Sequence, residues 1–97
     1  MNSRKVRHVI AWFRKADWAD IKKLCAPNDL QDSYEQWLAD VQAGMQKMGV
    51  TEDDIEKSIL TPDDLRKWKA ANSGEIDSRI RARLAIELAR ERTKTIR

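Results

Sequence analysis

The chain holds a single cysteine, Cys25, and a single histidine, His8, among its 97 residues. No internal disulfide can form, and a secreted domain this short is ordinarily stapled by several, so a reducing compartment is expected. A metal site would have to join these two residues to carboxylates, yet no H-x3-H or C-x2-C spacing occurs. The stretch Lys23-Leu24-Cys25-Ala26-Pro27 carries no mark of a reactive thiol, and a buried structural cysteine at a helix end is the simpler reading. Glycine is nearly as scarce: Gly44, Gly49 and Gly74 lie far apart, so no loop is suited to cradling phosphate. Long apolar runs are missing too. The opening MNSRKVRHVIAWFRK has only the short run from Val9 to Phe13, too brief for a secretory core, and no later segment approaches the roughly 18 to 20 apolar residues of a membrane span. A cytoplasmic protein without membrane attachment is expected.

Carboxylates are plentiful but do not converge. Glu52-Asp53-Asp54-Ile55-Glu56 lacks the alternating ligands and central glycine of a calcium loop and reads as a solvated helix start. Asp63 and Asp64, adjacent on a helix, project about 100° apart and cannot share one substrate atom. No catalytic, cofactor or metal residue is nominated, and the chain is expected not to be an enzyme.

Charge is present in quantity, with a net value of +3, but its distribution is uneven. Residues 1–24 hold seven Lys/Arg against two Asp, residues 25–74 five against ten Asp/Glu, and residues 75–97 seven against four. Basic ends around an acidic middle permit attraction within the fold or between chains, which weakens any step from a basic isoelectric point to a nucleic-acid partner.

The length suits one domain, and the apolar residues with four tryptophans suffice to close it. Residues 1–5 and 93–97 are expected to fray. Ser33 caps a helix over 34–48 with Gln36 able to complete a capping box, Tyr34, Trp37, Leu38, Val41, Met45 and Met48 recur at helical spacing, and Gly49 stops it. Thr61-Pro62-Asp63-Asp64 opens a helix with Leu65 and Trp68 inward, ending at Asn72-Ser73-Gly74. A last helix runs from Asp77 or Ser78 to about Arg92 with Ile80, Leu84 and Leu88 on one stripe. Asp17 can cap a short helix from Trp18 to Ala26, closed by Pro27 and Asn28. Two segments stay ambiguous. Val6 to Phe13 reads as a helical turn or a strand, and Ile55 to Leu60 has a helix-like acidic lead but strand-like alternation. The fold class is therefore mainly α, a single compact domain of about four helices, with a small α+β domain as the alternative if Val6–Phe13 and Ile55–Leu60 pair as strands.

Two surfaces remain as binding candidates. The last helix carries Arg79, Arg81, Arg83, Arg90 and Arg92, planar donors suited to phosphate or carboxylate. A helix-turn-helix with Gly74 in the turn places Ala70 and Ile80 well. It also puts Lys69, Ser73, Glu75 and Arg83 where the two helices should pack on apolar side chains, so a solvated arginine face is the simpler reading. Glu87 and Glu91 stand at pairing distance from Arg83, Arg90 or Lys94. Trp18, Trp37 and Trp68 are core residues by position. Trp12 is either core or, if Val9, Ala11 and Phe13 face inward on a strand, exposed beside Ile10 as an interface anchor. The candidate interaction surface is Trp12, Arg79, Arg83 and Arg90. The expected partner is another protein or a second copy of the chain, with nucleic acid as the alternative.

The run Trp12-Phe13-Arg14-Lys15-Ala16-Asp17-Trp18, then Ser33-Tyr34-Glu35-Gln36-Trp37-Leu38, then Leu60-Thr61-Pro62-Asp63-Asp64-Leu65 followed by Trp68, resembles a group of small uncharacterised bacterial proteins. The likeness spans about Ile10 to Leu88 and consists of packing and capping motifs. In that group the segment matching Ile55 to Leu60 is more valine-rich and strand-like, which favours the α+β alternative. No activity attaches to the group, so no functional residue carries over.

Overall fold

A computed structural model describes residues 8–95, with side chains to residue 92. The expected fraying of residues 1–5, 96 and 97 lies outside the described residues, as do Val6 and Arg7 of the first ambiguous segment.

Chain order is β1 (His8–Trp12), α1 (Trp18–Leu24), α2 (Tyr34–Met48), β2 (Ile55–Ile59), α3 (Pro62–Ala71) and α4 (Ser78–Thr95). The mainly helical architecture and the pairing of the two ambiguous segments therefore hold together: β1 and β2 form a two-stranded parallel sheet, with His8 opposite Ile55 and Trp12 opposite Ile59. Parallel pairing requires a long crossover, here supplied by α1 and α2. The acidic lead behaves as a helix start for one turn only. Thr51 and Asp54 close a capping box around a 3-10 turn at Glu52–Asp54, after which Ile55 is extended and the chain enters β2.

Helix ends follow their local chemistry. Ser33 Oγ accepts from the Gln36 N–H at 3.1 Å, and Gly49 ends α2 in the left-handed region at φ 69°. Thr61 and Asp64 form a reciprocal capping box with Pro62 at the first position. Asp77 Oδ1 accepts the Ile80 N–H at 3.0 Å at the start of α4, and this bond is the main cause holding its carboxyl below the usual carboxylate range. α4 continues to Thr95, past the end expected near Arg92. Asp17 departs from expectation: its side chain makes no cap and is instead held by Arg14, at 2.9 Å from Nε and 2.8 Å from Nη2. α1 also stops at Leu24, because Cys25 is already extended.

Both faces of the sheet are covered, as parallel strands require. α4 crosses the face that carries Ala11 and Ser58, and buried Ser58 donates its hydroxyl to the Ala85 carbonyl at 2.8 Å. The other face meets α2, where the Trp12 and Trp37 rings stand edge to face with centroids 5.0 Å apart. Phe13, Trp18 and Tyr34 complete this aromatic cluster around Trp37 at centroid distances of 5.1, 5.7 and 5.4 Å. Such pairs contribute about 0.5–1.5 kcal/mol each beyond the area they bury. Within the cluster Trp18 Nε1 is buried without a hydrogen-bond partner among the described residues.

Candidate functional site

The line of α4 nearest the sheet is Arg81, Ala85 and Ala89, all buried, while Ile80, Leu84 and Leu88 flank it half-buried. The expected apolar stripe is thus rotated toward α3, because small residues at four-residue spacing let the helix backbone approach Ser58. This rotation decides what each arginine does. Arg81 is drawn inward, with Nη2 2.8 Å from Asp29 and Nη1 donating to the Ile76 carbonyl at 3.2 Å. Arg92 reaches back over the sheet, donating to Ser58 Oγ at 3.2 Å and the Ile59 carbonyl at 3.0 Å. Two of the five arginines are therefore committed within the fold.

Arg79, Arg83 and Arg90 are exposed. With Ile86, which is 41% exposed, they fall within a sector of roughly 60° on the helix and span about 16 Å along it. None forms an ion pair with a described residue, although the Arg79 charge contributes to lowering Asp77. Arg83 and Arg90 form no ion pair with Glu87 or Glu91, while Lys94, the other expected partner, lies outside the residues with described side chains. α3 packs on α1 and α4 on the sheet, leaving between α3 and α4 a groove of about 350 Å³ lined by Trp68, Ala71, Leu84 and Leu88. That gap is where a helix-turn-helix would have its tight helix packing.

Trp12 takes the core setting, the first of its two expected alternatives. It is 7% exposed, wedged against Trp37, with Lys57 Nζ 4.4 Å from its ring centroid. Alternation does turn Trp12 away from Ala11, but the face it joins is covered by α2, so it is part of the core. Of the four candidate surface residues, Trp12 is buried and Arg79, Arg83 and Arg90 are exposed.

Cys25 and His8 have separate settings. Burial pushes the Cys25 thiol up, and its charged neighbours are Arg81, Asp29 and Lys69. His8 lines a small apolar pocket of about 160 Å³ with Ile10, Met45, Met48 and Val50. Among the described residues no group of three or more His, Cys, Asp or Glu is placed to hold a metal ion. No helix of these residues is long and apolar enough to cross a membrane.

A site that single-residue reading missed lies along β1. The Leu60 N–H donates to the Trp12 carbonyl at 2.9 Å, so in the alternation of a strand the backbone of His8, Ile10 and Trp12 faces β2. That of Val9 and Ala11 faces the opposite, open edge. Neither Val9 nor Ala11 forms a hydrogen bond on that side with a described residue. The edge forms the floor of a cleft of about 470 Å³ whose walls are Trp37, Asp40 and Val41 of α2 and Ser78, Arg81 and Ala82 of α4, with Asp29, Leu30 and Gln31 at one end. The signal available beforehand was the short apolar run from Val9 to Phe13; which edge stayed open depended on where β2 docked.

No family model, curated protein or solved structure matches the chain.

Proposed function

We propose that the chain is a non-enzymatic protein-interaction module of the cytoplasm, docking through the arginine row of α4 onto an acidic surface of a partner protein. The observation that carries this reading is that Arg79, Arg83 and Arg90 project from one stripe, exposed and without ion pairs to described residues, with Ile86 among them. Arginines around an apolar residue match the usual composition of interface anchors, and unpaired guanidinium groups are free to fork onto carboxylates. A second reading, nucleic-acid binding by the same arginines, draws on the same exposure. It is disfavoured by Glu87 beside the row and by the inward commitment of Arg81 and Arg92.

Co-purification of the full chain from nuclease-treated native extract, compared with the Arg79→Glu, Arg83→Glu, Arg90→Glu triple variant, tests the reading. A stoichiometric protein bound by the first and released by the second is expected, with affinity reduced by about tenfold or more, roughly 1.4 kcal/mol. Retention of nucleic acid only, from a parallel extract without nuclease and with an affinity that falls steeply with salt, would favour the second reading. Equal recovery by both proteins would end the first.

A further inference from the structure

We propose that the open edge of β1 accepts an extended segment of a partner polypeptide as a third strand of the sheet, and that this segment carries a lysine or arginine opposite Asp40. This surface is independent of the arginine row.

An unpaired strand edge is a template for main-chain pairing. Here the outward N–H and C=O groups of Val9 and Ala11 supply that template, at the floor of the cleft between α2 and α4. The groups are dedicated to the edge, since the intervening Ile10 pairs with β2. Side chains of an added strand would alternate between two walls. One wall is apolar, with Leu30, Val41 and Trp37; the other holds Ser78, Ala82 and Arg81.

Charge selects the occupant. Of the charged residues lining the cleft, Arg81 and Asp29 answer each other at 2.8 Å. Asp40 is exposed and is hydrogen-bonded to the neutral Gln31 amide at 2.8 Å. Among the described residues the cleft therefore carries one negative charge on the α2 wall that no cation answers, which complements a cationic side chain of the incoming strand. A second copy is a poorer fit. Its own β1 edge also lies between its α2 and α4, so the helices of two copies would meet before the strands reached the roughly 4.8 Å spacing of a ladder.

The test uses the ¹⁵N-labelled full chain and two capped synthetic heptapeptides, one alternating lysine with valine and one alternating glutamate with valine. Addition of the lysine peptide is expected to shift the Val9 and Ala11 amides and slow their exchange by about tenfold or more, while Ile10 and Trp12 are little changed. Asp40→Lys, at an exposed helical position, is expected to weaken the lysine peptide by about tenfold and to favour the glutamate peptide. Ala11→Pro removes an edge donor without touching the ladder to β2, and is expected to abolish binding. The proposal is overturned if neither peptide binds, if binding leaves Val9 and Ala11 exchange unaltered, or if Asp40→Lys binds the lysine peptide as well as the native chain. Protection of Val9 and Ala11 that rises with protein concentration in the absence of peptide would assign the edge to a second copy and equally overturn it.

Discussion

The two edges of the small sheet are treated differently. At the outer edge of β2, the Ile59 carbonyl accepts from Arg92, which also holds Ser58, so a charged side chain occupies the position where another strand would pair. At the outer edge of β1, Val9 and Ala11 face a cleft and meet no described hydrogen-bonding partner. Unprotected edges invite unwanted pairing, and natural sheets block them with charged side chains or cover. One edge here follows that practice. The other is recessed between α2 and α4.

The comparison can be broken most forcefully at the aromatic wall of the cleft. Trp37→Ala removes the ring that touches Trp12, Phe13, Trp18 and Tyr34, and is expected to cost about 3–5 kcal/mol in urea unfolding. A much smaller loss would mean that the wall collapses readily and that the cleft is less rigidly framed than its lining implies.

Hydrogen exchange sharpens the contrast without mutation. The Ile10 and Trp12 amides, directed at β2, are expected to exchange about 100-fold more slowly than those of Val9 and Ala11, a difference of roughly 2.7 kcal/mol. Equal rates would show that the β1 edge is covered in solution.

Removing the guard at the other edge is expected to do less to stability. Arg92→Ala forfeits one partly buried and one exposed hydrogen bond and should cost about 1 kcal/mol, but it leaves the Ile59 carbonyl open. Sedimentation at rising concentration should then reveal self-association that the native chain does not show. If it does not, the arginine is not what keeps β2 from pairing.

The smallest effect is expected where α4 begins. Asp77 has its carboxyl lowered chiefly by the Ile80 N–H, so its contribution to stability is present above the ordinary aspartate range. It is lost as pH falls through the lowered folded value. The stability difference between the native chain and Asp77→Asn should be constant near neutrality and close below about pH 4. Both edges of the sheet contact α4, so a uniform response of the cleft and of the Arg92 contacts would show the helix to be one rigid cover.

Much of the helical framework was legible residue by residue. Ser33, Gly49, Thr61, Pro62 and Asp77 act through bonds to their own neighbours, which is why α2, α3 and the start of α4 fall where the capping chemistry puts them. Asp17 misled because Arg14, three residues before it, competes for the same carboxylate. The candidate surface was legible only in part. Arg79, Arg83 and Arg90 kept their exposure, but Arg81 and Arg92 look the same in the sequence and turned inward. Their partners Asp29 and Ile59 are 52 and 33 positions away, beyond the reach of any local pattern.

Local chemistry alone therefore determined where α2 and α3 begin and end and where α4 begins, that Cys25 would be a buried thiol, and that two short segments could be extended. Only the tertiary structure decided that those segments pair in parallel, that Trp12 is covered by α2, and that one sheet edge is closed and the other open. Caps and periodicity depend on residues a turn apart, whereas strand pairing, arginine fate and edge exposure depend on which distant backbone arrives alongside.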